Sequence, residues 1–392
     1  MIYIHIPFCR SKCAYCDFLS FADKADNATR EVLMADYTQA LLAELEAARR
    51  GDMGGCVIDT VYIGGGTPTA LPASFLCEII AGARRFRLAP GAEITVEMNP
   101  GNISTGSNPL PVAALKAVGV NRLSIGLQAW QDFLLARIQR AHTAGDFMQT
   151  FRAARDAGFD NINVDLMFSL PGQTMDMWRE SLEGLIALRP EHISAYSLTP
   201  AQGTPLWDWL EAGAVTLPDD EADRAMYRDA NALLERAGYR RYEISNYALP
   251  GRESRHNVNT WKRRPYRGFG LGAHSFEGSA EGGGTRWHNT EDMGKYLHAW
   301  KHKLEGGCRE DITPLTPAEA MAETLILGLR LTRGVDEEEF RAAFGKNIRD
   351  CYGAQVQKHI AGGLLAREKN RLFLTPLGTD LANQVFMAFI AE

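Results

Sequence analysis

Short apolar runs separated by stretches with helical spacing dominate the first half of the chain. The runs predict six strands: Ile2–Ile6, Val57–Ile63, Glu93–Glu97, Arg122–Leu127, Asn161–Phe168 and His192–Leu198. The stretches between them predict five helices: Arg30–Arg49, Pro72–Arg85, Leu110–Val118, Phe147–Ala157 and Met175–Leu188. Strands that alternate with helix-length segments indicate βα units and a parallel sheet. Because such connections are nearly always right-handed, the pattern predicts an α/β fold, a partial (β/α)6 barrel of the TIM type.

The alternation fades after Thr199. Further helices are predicted over Asp219–Ala237, Thr290–Leu304 and Pro317–Leu331, with a glycine-rich basic segment before His274. From Val335 the predicted order is helix, helix, hairpin and helix, with a turn at Lys369-Asn370, and this order resembles a winged helix. The sequence therefore predicts a barrel over residues 1–215, a connecting region over 216–290 and a C-terminal helical, winged-helix-like domain over 291–392.

The charge of the chain argues against nucleic acid as a partner, although winged helices often bind DNA. Residues 335–392 hold seven Lys/Arg against eight Asp/Glu, whereas phosphate contacts need a basic face. The whole chain of 392 residues has a formal net charge of −6. No apolar run approaches the roughly 18 residues of a membrane span, and the first residues do not resemble a signal peptide. We therefore expect a cytoplasmic protein with at most peripheral membrane association.

Three of the seven cysteines lie close together after the first predicted strand, as Cys9-x-x-x-Cys13-x-x-Cys16. An odd total is no disulfide framework, and such a cluster in a cytoplasmic protein indicates a metal site. Thiolates favour zinc or iron–sulfur clusters. Three ligands would leave one iron of a [4Fe–4S] cluster open to a second molecule. The spacing alone also allows zinc completed by His5 or Asp17, or unrelated reduced thiols.

The residues around these cysteines resemble the radical S-adenosylmethionine (SAM) superfamily. The similarity is carried by Tyr3-Ile4-His5-Ile6-Pro7-Phe8-Cys9 and by Cys13-Ala14-Tyr15-Cys16-Asp17-Phe18. Over nearly its whole length the chain resembles the branch that contains oxygen-independent coproporphyrinogen III oxidase and the HemW family of haem chaperones. The resemblance implies a [4Fe–4S] cluster on Cys9, Cys13 and Cys16, whose open iron chelates the amino and carboxylate groups of SAM.

Residues suited to binding SAM stand where several predicted strands end. A Gly64-Gly65-Gly66-Thr67 run follows the second strand, and Glu97, Gln128 and Asp165 lie at or near the ends of later ones. The carboxyl ends of barrel strands carry the site, so we expect these residues to converge. Glycines permit close backbone approach, carboxylates accept from ribose hydroxyls, and the guanidinium of Arg140 binds a carboxylate. Alone, the glycines would predict a mere turn and the acids capping or ion-paired groups.

The family resemblance implies the residues that contact SAM, and it names no catalytic residue. They are Tyr3, Tyr15, Gly65, Gly66, Thr67, Glu97, Gln128, Arg140 and Asp165. The oxidase branch is thought to hold two SAM molecules, and the sequence leaves the number open for this chain.

A second candidate site lies in the basic segment. From Arg252 to Arg267 there are six Lys/Arg and one acid, in a chain that is acidic overall. Such a run is usually a solvated face. Here it surrounds a histidine and several aromatic residues. A tetrapyrrole uses that combination: imidazole for its iron, aromatic walls for the macrocycle and guanidinium groups for its propionates.

The segment from Ser254 to Trp261 resembles the haem-binding motif of the HemW family, H-N-x-x-Y-W, with Thr260 in place of the tyrosine. This resemblance implies haem contacts from Arg255, His256 and Trp261. His274, in a Gly-Ala-His-Ser run, is a second candidate for contact with haem or with the cluster cavity.

Departures from the oxidase pattern decide between the functions that the resemblance allows. Oxidase sequences carry a further cysteine directly after the cluster motif, where this chain has Asp17-Phe18, and they extend beyond the first strand on its N-terminal side. With the His256 segment, these differences favour a haem chaperone that delivers haem to respiratory apoproteins such as cytochromes. The cluster and SAM would then support the transfer of haem or the formation of a homodimer. The alternatives are the oxidase or another radical SAM enzyme acting on tetrapyrroles, and a zinc-stabilised barrel with an unrelated partner.

Overall fold

The computed structural model describes residues 1–22, 27–101, 112–279, 282–304 and 306–390. All six predicted strands are present, and the predicted helices between them are present with shifted ends. The first two residues of the predicted helix Leu110–Val118 lie outside the described residues. The elements of this half are β1 Ile2–Ile6, α1 Asn27–Arg50, β2 Val57–Gly65, the 3₁₀-helix Pro68–Ala70, α2 Ala73–Ala83, β3 Arg87–Met98, α3 Val112–Ala117, β4 Arg122–Gln128, α4 Asp132–Arg137, α5 Ala144–Asp156, β5 Ile162–Phe168, α6 Met175–Leu188 and β6 His192–Ser197.

The second half contains short strands that the sequence did not predict. Its elements are α7 Pro205–Glu211, α8 Asp220–Arg236, β7 Arg240–Arg241, β8 Asn246–Ala248, α9 Arg255–Trp261, β9 Arg267–Phe269, β10 His274–Gly278, β11 Gly284–Asn289, α10 Met293–Lys301, β12 Arg309–Leu315, α11 Pro317–Gly328, β13 Val335–Asp336, α12 Glu337–Phe344, α13 Ile348–Ala361, β14 Leu365–Glu368, β15 Arg371–Leu374, α14 Pro376–Asp380 and α15 Ala382–Met387.

The main sheet confirms the predicted α/β architecture. Strands β1 to β6 are parallel and lie side by side in chain order, as in an open (β/α)6 barrel. Both edges carry additional strands: β9 pairs parallel to β1, and β8, followed by β7, pairs antiparallel to β6. These additions cover the edges that an open barrel would otherwise leave unpaired.

Alternation along the strands separates the apolar core from a polar lumen. In β1, Ile2, Ile4 and Ile6 are fully buried in the main apolar cluster, while Tyr3 and His5 hydrogen-bond to each other on the other face. Successive side chains of a strand point to opposite faces, so every second residue of β1 faces the inside of the barrel. The polar lumen that results is where the candidate cofactor residues lie.

The C-terminal residues have their own apolar core. Leu325, Phe340, Leu372 and Phe386 belong to a cluster separate from that of the barrel. Strands β13, β15 and β14 form a small sheet beside α12 and α13, in agreement with the predicted winged-helix-like order. A third sheet, β10-β11-β12, was not predicted. None of the helices in the described residues is both long and apolar enough to cross a bilayer.

A buried carboxylate on α1 fixes the loop after β9 beside the barrel. Glu44 accepts hydrogen bonds from the backbone of Gly270 at 2.8 Å, from Asn289 Nδ2 at 2.6 Å and from the Tyr296 hydroxyl at 2.7 Å. Burial raises the pKa of Glu44 to about 7. The loop after β9, strand β11 and helix α10 therefore all meet at one side chain of α1.

We expect Glu44→Gln to lower the free energy of unfolding by about 1–3 kcal/mol, because an amide nitrogen would face a buried donor. The measurement is urea unfolding at a pH above that at which Glu44 ionises. Glu46→Gln is the matched control, since Glu46 on the same helix forms only partly exposed ion pairs with Arg49, Arg50 and Arg85. Equal unfolding midpoints for the two variants would show that Glu44 is not the anchor.

Candidate functional site

A cavity of about 340 Å³ opens at the carboxyl ends of the parallel strands. It brings together the predicted cluster cysteines and eight of the nine predicted SAM contacts. These lining residues are Cys9, Cys13, Cys16, Tyr15, Gly65, Gly66, Thr67, Glu97, Gln128, Arg140 and Asp165. Tyr3 is the exception, because it lies behind the cavity wall and stacks on Tyr62 with ring centroids 6.4 Å apart.

Backbone hydrogen bonds fix the cysteine loop over this cavity. The amide of Cys9 donates to the carbonyl of Phe21 at 3.0 Å, and the amide of Thr67 donates to Phe8 at 2.8 Å. Ala14, between the second and third cysteines, donates to Ile138 at 3.1 Å. The loop is thereby attached both to the glycine run after β2 and to the end of α4.

Two glycines allow the loop to lie this close to β2. Gly65 has φ +109°, and a Cβ there would stand 2.5 Å from the His5 ring. A Cβ on Gly66 would lie 2.8 Å from the carbonyl oxygen of Phe8 and 3.1 Å from Cys9 Sγ. Any side chain at Gly66 would therefore displace the first cysteine or the strand beneath it.

A chain of polar contacts joins the first two cysteines. Cys9 Sγ lies 3.5 Å from the hydroxyl of Thr67, which accepts from Asn99 Nδ2 at 2.8 Å. Asn99 Oδ1 in turn accepts from Arg140 Nη2 at 2.7 Å, and Arg140 Nη1 donates to Cys13 Sγ at 3.5 Å. The cation of Arg140 is therefore placed beside the Sγ atom of Cys13.

The side chains present fit an iron–sulfur cluster with one open corner. Among the described residues, no three His, Cys, Asp or Glu side chains are grouped so as to hold a single metal ion. A cluster offers each thiolate a separate iron, so its ligands need not meet at one point. The three cysteines are free thiols around one cavity, and the donor set is the one that such clusters use.

Neither side chain considered as a fourth zinc ligand is directed at the cavity. His5 Nε2 donates to the carbonyl of Leu19 at 2.8 Å, and its Nδ1 accepts from the hydroxyl of Tyr3 at 3.0 Å. Burial lowers the pKa of His5, so the neutral ring with both nitrogens engaged is favoured. Asp17 is exposed and does not line the cavity.

Two buried carboxyl groups face the cavity from neighbouring strands. The Tyr62 hydroxyl donates to Glu97 Oε1 at 2.6 Å, and the Gly65 amide donates to Oε2 at 3.3 Å. Burial raises the pKa of Glu97 to about 7, and the charge of Asp165 adds to the effect. Burial also raises the pKa of Asp165. A ligand with hydroxyl or cationic groups would favour the ionised form of both.

The end of β4 is strained where it meets the cavity. Gln128 has φ +72°, and the pairing between β4 and β5 shifts register between Gly126 and Gln128. A non-glycine residue in this conformation is uncommon and often stands at a functional site. Gln128 lines the cavity at this strained strand end.

The structure adds cavity residues that the sequence reasoning did not select. Tyr62, Asn99, Arg122, Tyr196 and Asn257 also line the cavity. A signal was present in β4, where Arg122, Ser124, Gly126 and Gln128 recur with a period of two between apolar residues. That period marks the strand face that points into the lumen.

The predicted haem ligand His256 lies inside the barrel, nearer the amino ends of the strands than the 340 Å³ cavity, which we call the cofactor cavity. The amides of Arg255 and His256, at the start of α9, donate to the carboxylate of Glu93 at 3.0 and 3.1 Å. His256 Nδ1 is 2.9 Å from the hydroxyl of Thr60, and its ring centroid is 5.0 Å from that of Tyr62. Its side chain is 9% exposed, and burial lowers its pKa to about 3.

The other two predicted haem contacts point away from His256. The guanidinium of Arg255 donates to the carbonyls of Gly91 and Asp59 at 2.6 and 3.2 Å. Trp261 lines a different cavity, and the guanidinium carbon of Arg330 stands 4.4 Å from the centroid of its indole ring. The three residues thus share the short helix α9 but no common cavity.

Two further features of the basic segment bear on the prediction. The hydroxyl of Thr260, which occupies the tyrosine position of the motif, donates to the carbonyl of His256 at 3.0 Å. Thr260 therefore stabilises α9 itself. His274 is exposed on β10, with its ring centroid 5.1 Å from that of His288, and it does not line the cofactor cavity.

Comparison with protein families and known proteins agrees with this geometry. Residues 3–185 match the model of the radical SAM superfamily, and residues 315–381 match that of the HemN C-terminal domain. The chain is 35% identical over 395 residues to the heme chaperone HemW of Bacillus subtilis (strain 168), covering 100% of this chain and 99% of that protein.

Other relatives show a comparable match. The heme chaperone HemW of Synechocystis sp. is 36% identical over 334 residues, covering 85% of this chain and 78% of that protein. The mitochondrial radical S-adenosyl methionine domain-containing protein 1 of Bos taurus is 35% identical, covering 100% and 87% respectively. Coproporphyrinogen III oxidase (HemN) from Escherichia coli has the same fold, with a TM-score of 0.82 at 20% identity over 99% of this chain and 89% of that chain.

We expect Gly66→Ala to lower the iron and labile sulfide bound per chain after anaerobic reconstitution, because the added methyl group overlaps Phe8 and approaches Cys9 Sγ. Gly55→Ala is the matched control, since a Cβ there meets nothing within 4 Å. Iron and sulfide are measured by chemical assay on both proteins. Full iron content in Gly66→Ala would contradict the requirement for close approach between the loop and β2.

Proposed function

The chain belongs to the radical SAM superfamily and, within it, to the HemW family of haem chaperones, and from this membership we propose that it binds haem and delivers it to respiratory apoproteins. One observation carries the proposal. A single cavity is lined by three free cysteines and by eight residues suited to SAM, and Asn257 of the haem-type motif lines it as well. The motif and the cofactor site are therefore parts of one structure.

We assign the cofactor roles as follows. Cys9, Cys13 and Cys16 would ligate a [4Fe–4S] cluster, which when bound supplies an open iron that chelates the amino and carboxylate groups of SAM. Arg140 donates to Cys13 Sγ, and the glycine run offers backbone groups to the ligand. The remaining predicted contacts, Tyr3, Tyr15, Thr67, Glu97, Gln128 and Asp165, are assigned to SAM, with Tyr3 acting through His5 and Tyr62.

The haem site is assigned to the α9 segment, with His256 as the iron ligand and Arg255 and Trp261 as neighbouring contacts. Because His256 is enclosed by Thr60, Tyr62 and Glu93, ligation requires α9 to open from the barrel. Glu93 then loses two backbone partners. Haem uptake is on this account coupled to a local movement of the segment.

The cysteine pattern favours a chaperone over the oxidase. Phe18 follows Cys16-Asp17 where oxidase sequences carry a further cysteine, so that fourth thiol is absent from the loop. The likeness to the Escherichia coli oxidase is one of fold. We propose that the protein acts in the cytoplasm, with cytochromes or respiratory enzymes as acceptors and a homodimer as the form that SAM and the cluster support. Incubation with coproporphyrinogen III, SAM and reductant is expected to give no decarboxylated product.

We also propose that residues 1–215 form the cofactor-binding unit, 216–290 the connecting region with the haem motif and 291–392 the C-terminal unit. The separate apolar core around Phe340 and Leu372 supports this division.

Affinity for SAM is expected to fall as the pH is lowered through about 7, where Glu97 becomes protonated and loses an acceptor. One linked proton changes affinity by up to about tenfold per pH unit below the pKa. Anaerobic equilibrium binding of SAM to the cluster-loaded protein, one unit either side of this pKa, measures the effect. Asp165, Arg122 and Tyr62 face the same carboxyl group and contribute to its titration.

Glu97→Gln separates this carboxyl group from its neighbours. The variant is expected to bind SAM about 10- to 100-fold more weakly and with a flatter pH dependence, because an amide does not titrate and accepts one bond fewer. If the affinity of the unmutated protein for SAM did not change with pH, Glu97 would not be part of the SAM site.

His256→Ala is expected to change the absorption spectrum of bound haem and to weaken haemin binding at least about tenfold, because an iron ligand is lost. Haemin titration of anaerobically prepared, full-length protein measures both quantities. His298→Ala, which removes an exposed histidine on α10, is the matched control. SAM binding by the same preparation shows whether the variant is folded, and an unchanged spectrum and affinity in folded His256→Ala would refute the assignment.

A further inference from the structure

A cleft of about 630 Å³ lies between the end of α9 and the C-terminal core. It shares no lining residue with the cofactor cavity. We call it the Trp261 cleft and define it by Trp261, Lys262, Phe276, Arg333, Phe340 and Phe344, all of which line it. Its volume falls within the roughly 300–1,000 Å³ of small-molecule sites.

Aromatic residues from three elements line the Trp261 cleft. Trp261 comes from the haem-type motif and Phe276 from β10, while Phe340 and Phe344 come from α12 with ring centroids 4.8 Å apart. Flat apolar ligands pack well against such rings. Phe276 and Phe340 are buried in the wall, so Trp261 and Phe344 are the rings that an apolar ligand between the motif segment and the C-terminal core would meet.

The cations at this cleft fall into two groups. Arg263 is paired with Glu323 at 3.0 Å, and Arg371 with Asp336 at 3.1 Å, so both are already neutralised. The side chains of Lys262 and Arg333 in the cleft, and of Arg264 in the adjacent cavity, form no hydrogen bond or ion pair with any other residue that the structure describes. These three cations remain available to a ligand.

The unpaired cations are close enough to repel one another. Burial lowers the pKa of Lys262, and the charges of Arg333, Arg264 and Arg371 lower it further, while Glu339 opposes them. Arg333 also lines an adjacent cavity together with Arg264, so the positive region continues past the cleft mouth. An anion placed here would relieve that repulsion.

We propose that the Trp261 cleft binds the tetrapyrrole by its macrocycle and its carboxylates, with Lys262 and Arg333 pairing with the two propionates. This inference rests on the proposed function, because it names the place where that ligand docks. The described lining residues include no His, Cys, Met or Tyr, so the cleft recognises the organic part of haem and leaves the iron to a ligand elsewhere. Arg333 lies outside the motif and adds the C-terminal half of the chain to haem recognition.

Charge reversal at both positions tests the assignment in the full-length protein. Lys262→Glu combined with Arg333→Glu is expected to weaken haemin binding about 10- to 100-fold and to leave the spectrum of bound haem unchanged. Haemin dimethyl ester, which has neutral side chains, is the second probe, and its affinity is expected to be the same for variant and wild type. Arg349→Glu is the matched control, an exposed arginine on α13 that lines none of the cavities described above.

The outcomes distinguish this inference from the proposed function. Wild-type affinity for haemin in the double variant overturns the cleft assignment and leaves the haem chaperone standing. An equal loss of affinity for haemin and for its ester also overturns it, because the carboxylates would then not be what the cations recognise. A wild-type protein that takes up no haemin overturns the proposed function, and the cleft assignment with it.

Discussion

The polar lumen of the open barrel is the constraint on which the site depends. Side chains that point inward from parallel strands are buried, and buried polar groups need partners. At the amino ends of the strands the protein itself supplies them, since α9 covers Glu93 and Thr60. At the carboxyl ends, some of the described buried polar groups lack a hydrogen-bond partner. The Nε atom of Arg140 is buried with no hydrogen-bond partner among the described residues, and burial raises the pKa of both cavity carboxyl groups. These groups at the carboxyl ends are the ones that a ligand in the cavity would stabilise.

One tyrosine connects the two ends of the lumen. The ring of Tyr62 packs against His256, and its hydroxyl donates to Glu97, which also accepts from the backbone of Gly65. The haem-type motif and the cofactor cavity are therefore adjacent layers of the same barrel interior. Asn257, one residue beyond His256, reaches the cavity directly. A change in the packing of His256 would therefore reach Glu97 through a single side chain.

The sequence was most informative where burial leaves a regular pattern. All six parallel strands were predicted, because apolar residues recur at every second position in strands such as β1 and β4. Strand β12 was missed because none of its seven residues is buried, so it carries no hydrophobic period. Helix α4, with six residues, is too short for helical spacing to show. At the site, eight of the nine residues that the family resemblance implied for SAM line one cavity. The separation of Arg255, His256 and Trp261 depends on how α9 packs, which local spacing does not encode.

The position of β1 has a consequence for how the molecule is assembled. Its two neighbours in the sheet are β2, close by in sequence, and β9, more than 260 residues away, where the amino group of Met1 also donates to the carbonyl of Pro265. Contacts of such long range form slowly. During translation the strand that leads into the cysteine loop has one unpaired edge until Phe269 has left the ribosome. The main sheet is thereby completed on this side of β1 only after most of the polypeptide has been made.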